Sequence, residues 1–207
     1  MVLAPKRKGE RKEPMRYTGP KDRLSRREGV DLFGKGDRLK RLNVPPGVHG
    51  PKGTGKVSEY GRQLREKQKA KRIYGISEKQ FRAYVEESQK LKNLSELLER
   101  RLDNVVYKLG FAPSRPAARQ LVSHRHILVN GKIVNIPSFR MKSGDTVTLD
   151  TKAQNIPEVK KAAEKEQEMQ NFWLERKAIV GRVKHLPNKE DIQESFSEQD
   201  IVEFYSR

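Results

Sequence analysis

The apolar positions along the chain fall into two periods. At residues 94–109, Leu94, Leu97, Leu98, Leu102, Val105, Val106 and Leu109 recur at three- and four-residue steps. That spacing predicts one amphipathic helix, with Ser95 as its N-cap and Gly110 as its stop. A shorter helix follows, capped by Ser114, with Pro116 in the first turn, where a missing N–H does no harm. Its inner face is Ala117, Ala118, Leu121 and Val122. After Ser123 the period drops to two. Residues 126–129 read as a strand, Asn130-Gly131 as a tight hairpin turn, and Ile133-Val134 as the return. Ser143-Gly144-Asp145 then turns into a last strand at 146–149. Two helices packed on a small antiparallel sheet make residues 94–150 a compact module.

On either side the pattern is looser. From Ser58 a helical stretch places Tyr60, Leu64 and Gln68 on one face, and Gly75 stops it. Ser77 with Gln80 signals the start of another helix, which carries Phe81, Tyr84, Val85 and Leu91. Residues 151–177 lack breakers after Pro157 and predict an exposed helix ending near Trp173 and Leu174. Residues 197–205 predict a short amphipathic helix, with Ile201, Val202, Phe204 and Tyr205 opposite Glu198, Asp200 and Glu203. Residues 1–15 read as a disordered basic arm. Residues 16–57 form an irregular region, because seven glycines and three prolines between 29 and 55 forbid long helices.

Composition narrows the possibilities. Hydrophobic residues make up only 34% of the 207, against roughly 45–50% in ordinary soluble domains, so the cores are modest. The formal charge is +18. Residues 1–93 carry 26 of the 45 basic side chains and 11 of the 27 acids, whereas residues 151–207 are nearly balanced. An excess of that size calls for a polyanion, held by neutralising phosphates and releasing counterions. No run approaches the ~20 apolar residues of a membrane span, and no lipidation or leader signal is seen, so no membrane partner is expected. With no cysteine there is no disulfide framework and no thiolate metal site.

The candidate chemistry is binding, not catalysis. Residues 50–56 satisfy seven positions of a phosphate-binding P-loop, but Val57 replaces the required hydroxyl and a Pro-rich segment replaces the feeding strand. The stretch is therefore read as a basic loop, with Lys52 and Lys56 on phosphate. Arg62, Arg65, Lys67, Lys69, Lys71 and Arg72 nearly encircle the helix from Ser58, with only Glu66 intervening. A one-signed run without local partners favours an anion. Arg115 and Arg119 lie on the outer face of the second module helix. Beside Arg125 and Lys132 they would complete one positive surface, with arginine suited to forking onto phosphates and stacking on bases. His124 and His126 lack the further ligands of a metal site, so His124 is assigned to solvent or phosphate. No nucleophile, paired carboxylates, metal site or cofactor motif emerges, and neither an enzyme activity nor a small-molecule substrate is expected.

Several segments together resemble a known family. Arg-Tyr-Thr-Gly-Pro-Lys at 16–21, Arg-Arg-Glu-Gly at 26–29, Asp-Leu-Phe at 31–33 and Pro-Gly-Val-His-Gly at 46–50 are similar to the start of bacterial small-subunit ribosomal protein number four. Residues 58–69 and Arg-Ile-Tyr-Gly at 72–75 resemble its basic helix. Leu-Glu-Arg-Arg-Leu-Asp-Asn-Val-Val-Tyr at 98–107, Ala-Arg-Gln-Leu-Val-Ser-His at 118–124, Val-Asn-Gly-Lys at 129–132 and Ile-Pro-Ser at 136–138 resemble its RNA-binding module. The chain end, Ile-Val-Glu-Phe-Tyr-Ser, fits as well. That module also occurs in pseudouridine synthases, tRNA synthetases and a heat-shock protein, but no added catalytic domain is visible here.

The resemblance implies an α+β protein, in which a mostly helical domain (58–93, completed by 151–207) carries the 94–150 module as an insertion. It implies direct binding to the five-prime domain of small-subunit rRNA, nucleation of subunit assembly and an influence on decoding accuracy. It also implies contact with the fifth and twelfth small-subunit proteins and with messenger RNA near its entry path. In some members it extends to repression of the protein's own message. Arg16, Lys21, Arg26 and Arg27 join the RNA-contacting set on this basis. One departure stands out: many members carry a Cys-x-x-Cys zinc knuckle after Gly-Pro-Lys, and here those positions are Asp22 and Ser25. A zinc-free form held by RNA and packing is the expectation.

Overall fold

The structure is a computed structural model that describes residues 17, 19–33, 44–52, 55–91, 93–164, 172–188, 191–192 and 196–206. The expected arm at 1–15, Arg16, and parts of the Gly/Pro-rich stretch and of the expected 151–177 helix lie outside them.

The first described helix is α1 (Lys21–Glu28), ended by Gly29 at φ 68°. A single 3-10 turn, Gly50–Lys52, follows. Next comes α2 (Glu59–Ile73), whose N-cap Ser58 accepts a hydrogen bond from the Gly61 N–H at 3.2 Å. Gly75 at φ 60° turns the chain into α3 (Glu78–Leu91).

The expected 94–109 helix is two helices, α4 (Leu94–Glu99) and α5 (Leu102–Lys108). The break needs no glycine or proline. Arg101 adopts an extended backbone and bridges to Arg140. The Leu102 N–H donates to the Phe139 carbonyl at 2.8 Å, and the Met141 N–H to the Arg100 carbonyl at 2.8 Å. Pairing with the 139–141 segment thus outcompetes one turn of helix. The cap moves too: Asn93, not Ser95, accepts from the Glu96 N–H, while Ser95 is buried inside the helix.

The module follows its expected pattern at first. α6 (Arg115–Ser123) is capped by Ser114 with a proline in its first turn. β1 (Ile127–Val129) and β2 (Lys132–Ile133) form a hairpin in which Leu128 faces Ile133 and Val129 faces Lys132. Asn130 and Gly131 both take positive φ, 50° and 77°, as a two-residue turn of matching twist demands. β3 (Thr146–Leu149) pairs antiparallel with β1.

The downstream segment departs from expectation. α7 (Thr151–Gln154) and α8 (Pro157–Glu164) are short, and Leu174 begins a strand. β4 (Leu174–Lys177) and β5 (Val180–Val183) form a hairpin that adds to β3, so the antiparallel sheet has the order β2-β1-β3-β5-β4. Trp173, Leu174 and Val183 close the core beneath it. The final helix, α9 (Glu198–Ser206), packs across α2 and α3. The molecule is α+β.

Two hydrophobic cores result, each the centre of one lobe, a module lobe and a helical lobe. One runs from Leu102 to Val183 and underlies the sheet, α5 and α6. The other joins Leu32, Ala70, Ile73, Phe81, Val85, Leu94, Leu98 and Ile201. The apolar stripe of 94–109 therefore serves both: α4 packs in one core and α5 in the other.

Candidate nucleic-acid interface

The basic helix α2 does not present a bare row of cations. Arg62 pairs with Asp200 at 3.2 Å, Arg65 with Glu28 at 3.3 Å, and Arg72 with the same Glu28. Lys67 and Lys71 share Glu78, at 2.8 and 3.0 Å, and Lys69 pairs with Glu66 at 2.6 Å. Only the last acid lies on α2 itself, so the sequence expectation of an unpaired run is corrected by acids that folding brings from α1, α3 and α9. Lys67 is also buried, with its ammonium 4.4 Å from the Phe204 ring centroid. Of the six side chains, Arg62 alone remains mostly exposed.

Arg115 and Arg119 are likewise turned to protein. Arg119 forks onto Asp103, with Nε at 2.9 Å and Nη2 at 2.6 Å from Oδ2, and also donates to the Tyr74 and Gly75 carbonyls. Arg115 Nε donates to Asn104 Oδ1 at 2.8 Å, and its guanidinium lies near the Tyr74 and Tyr107 rings. The expected single positive surface with Arg125 and Lys132 is not formed by these guanidinium groups.

Other expected residues stay open to solvent. His124 and Arg125 are exposed at the end of α6, Arg125 with a positive φ of 64°, and Lys132 is exposed in the β-hairpin. Lys52 and Lys56 are exposed on either side of the undescribed residues 53–54, and Arg27 is exposed on α1. Lys21 sits 5.6 Å from the Phe33 ring, and Arg26 Nε donates to the Val44 carbonyl at 2.9 Å. Arg23, Lys142, Lys152, Lys160, Lys161, Arg182 and Lys184 are exposed as well, and the sequence reading did not single them out. A signal existed for Arg182 and Lys184: they alternate with apolar Val183, the period of a one-sided strand.

The P-loop resemblance dissolves in three dimensions. Gly50 lies in a turn, its N–H on the Gly47 carbonyl, and a Cβ there would meet the Pro45 carbonyl oxygen at 1.9 Å. The glycine serves a close backbone approach, and no described strand feeds it. The rings of His124 and His126 lie 6.2 Å apart. Among the described residues no three His, Cys, Asp or Glu side chains are grouped to hold a metal. Asp22 and Ser25 do not fit a zinc knuckle either: neither offers sulfur, and the buried Ser25 hydroxyl instead accepts the Leu32 N–H at 3.4 Å.

What the sequence did not reveal is a set of buried polar side chains between the two cores. Glu99, Arg101, Asp103 and Asn104 are each at most 3% exposed. The Arg101 guanidinium lies on both oxygens of Asp103 and on the Tyr84 hydroxyl. Burial alone would make Arg101 a weaker base, but Asp103 reverses the effect and holds its pKa above the ordinary value.

What the open cations and fixed backbone can do is hold phosphates and a folded anionic surface; no arrangement among the described residues suggests bond making. Residues 16–103 match the family model for the ribosomal protein S4/S9 N-terminal domain, and residues 100–147 match that for the S4 domain. Small ribosomal subunit protein uS4 of Geobacter sulfurreducens is 52% identical over 207 residues, covering 93% of this chain and 99% of that protein. The proteins of the same name from Trichlorobacter lovleyi, 50% identical over 207 residues, and Parabacteroides distasonis, 47% over 199, have the same coverage. On these matches, which run through both lobes, the chain belongs to the uS4 family of small ribosomal subunit proteins.

Proposed function

We propose that this protein is a non-enzymatic constituent of the small ribosomal subunit that binds small-subunit rRNA directly. The observation that carries the reading is likeness at about half of all positions, spread over nearly the whole chain, to proteins named for that subunit. The geometry is consistent in kind: exposed cations on the module and on α1 offer phosphate contacts from two lobes. The helical lobe, completed by the chain's end, and the RNA-binding module inserted into it act together on one folded RNA. Recognition is of shape and backbone, as suits structured RNA. The site is the five-prime domain of the rRNA, where early binding nucleates the subunit body. In the assembled subunit the protein meets the fifth and twelfth small-subunit proteins, borders the messenger entry path and affects decoding accuracy. Repression of its own message is a further role of the same RNA-binding surface.

Sedimentation tests the reading. Stoichiometric co-migration with small subunits, and binding of the purified protein to a five-prime-domain transcript, are expected. Absence from small subunits overturns it and favours an RNA chaperone acting elsewhere. Crosslinking within intact subunits checks the neighbours, since links to proteins other than the fifth and twelfth would remove them from the reading.

A further inference from the structure

The two cores touch across a polar seam, and nearly every group in that seam joins one lobe to the other. Asp103, on α5, accepts from Arg101 and Arg119 together and from the Asn104 N–H. Both arginines then reach into the helical lobe. Arg101 Nη1 donates to the Tyr84 hydroxyl on α3 at 2.9 Å, and Arg119 donates to the Tyr74 and Gly75 carbonyls in the α2–α3 turn. A second carboxylate repeats the pattern. Glu99 accepts from the Tyr74 hydroxyl at 2.7 Å on one oxygen, and from Asn104 Nδ2 at 2.9 Å and Lys108 Nζ at 2.7 Å on the other. At the rim, Arg140 forks onto Glu87 of α3.

Apolar packing is non-directional and would accept a range of angles between the lobes. Buried charged hydrogen bonds are not so tolerant, because any displacement leaves a charge unpaired in a poorly solvated place. We infer that Asp103, with Arg101, Arg119 and Glu99, is a positioning latch that fixes the angle between the two RNA-contacting lobes. Arg119 supports RNA binding through this latch and does not touch a phosphate. The inference rests on the RNA-binding reading only for its consequence. When two lobes grip one rigid ligand, the second gains its high effective concentration only if the geometry is right, so a loosened seam weakens binding without removing any contact group.

The absence of cysteine gives a direct test on the full-length chain. Spin labels at Gln89→Cys on α3 and Asn155→Cys beside α7, both exposed positions, report the distance between lobes by electron–electron double resonance. A single narrow distribution is expected, broadened by Arg119→Gln and by Asp103→Asn. Each substitution should weaken binding to a five-prime-domain transcript by about tenfold or more while leaving the salt slope of binding unchanged, since a lost phosphate contact would lower that slope by about one. The double variant should be little worse than either single one. Two results overturn the latch: a distribution that stays narrow in both variants, or a lower slope for Arg119→Gln with unchanged affinity for Asp103→Asn. Should either fail to fold, Glu87→Gln at the half-exposed rim must broaden the distribution, and an unchanged one there has the same force. Failure of the parent protein to bind the transcript would instead overturn the RNA reading, while the distances still judge the latch.

Discussion

Glu78 concentrates three interactions on one carboxyl: Lys67 and Lys71 from α2 and the Tyr205 hydroxyl from α9. Partial burial pushes this carboxyl up, but the hydrogen bonds from Lys67, Tyr205 and Lys71 outweigh it and hold the group at about 2. The folded value lies below the ordinary 4.5, so the carboxylate's contribution is full above that value and is lost as pH falls towards about 2. Acid titration of thermal stability should therefore show a loss over this window that is absent in Glu78→Gln; matching profiles would deny the role. Tyr205 is pushed up by burial and by its bond to Glu78, so its hydroxyl stays a donor into alkaline pH. Gly181 illustrates a different constraint. Its Cβ would lie 2.4 Å from Leu109 Cδ1, and that leucine is itself buried. Gly181→Ala should cost ~1–3 kcal/mol by overpacking, measured by urea denaturation.

Among the elements, α9 shows most plainly how partners distant in sequence meet. Ile201 is fully buried in the helical core, and Gln63 Nε2 donates to Glu203 at 3.0 Å. The Glu198 carboxylate accepts the Ser95 N–H near the start of α4, at 2.9 Å. Ile201→Ala should cost ~2–5 kcal/mol, read by thermal or chemical unfolding, because a buried cavity replaces the side chain. The β4–β5 hairpin is the second instance. Its turn uses Ala178 at φ 51° and contains neither Asn nor Gly, and β4 reads Leu-Glu-Arg-Lys without clean alternation. Arg176 fastens it by donating to the Leu109 carbonyl at 2.9 Å, at the end of α5. The alternation at 182–184 marks only β5; nothing local announces the turn or β4, and pairing with β3 and burial of Trp173 make the hairpin.

For the molecule as a whole, basic side chains that look equivalent in the sequence divide into structural and available parts. The cations of α2 are neutralised by acids within the fold, whereas Arg125 and Lys132 have no acid partner among the described residues. Arg125→Gln and Lys132→Gln should each lower the salt slope of rRNA binding by about one and leave the melting temperature nearly unchanged. Lys67→Gln should do the reverse, lowering stability with little change in slope, and a slope that falls there would put α2 on RNA. The sequence alone determined the α+β class, the module's Ser114-capped helix and first hairpin, and the basic character, because these follow from local period, caps, turn residues and composition. It also carried the family resemblance, spread over many short motifs. Tertiary structure decided which charges are free, why 94–109 breaks at Arg101, and where 174–183 pairs. Those outcomes depend on partners distant in sequence, as Arg62 and Asp200 are, which no local pattern encodes.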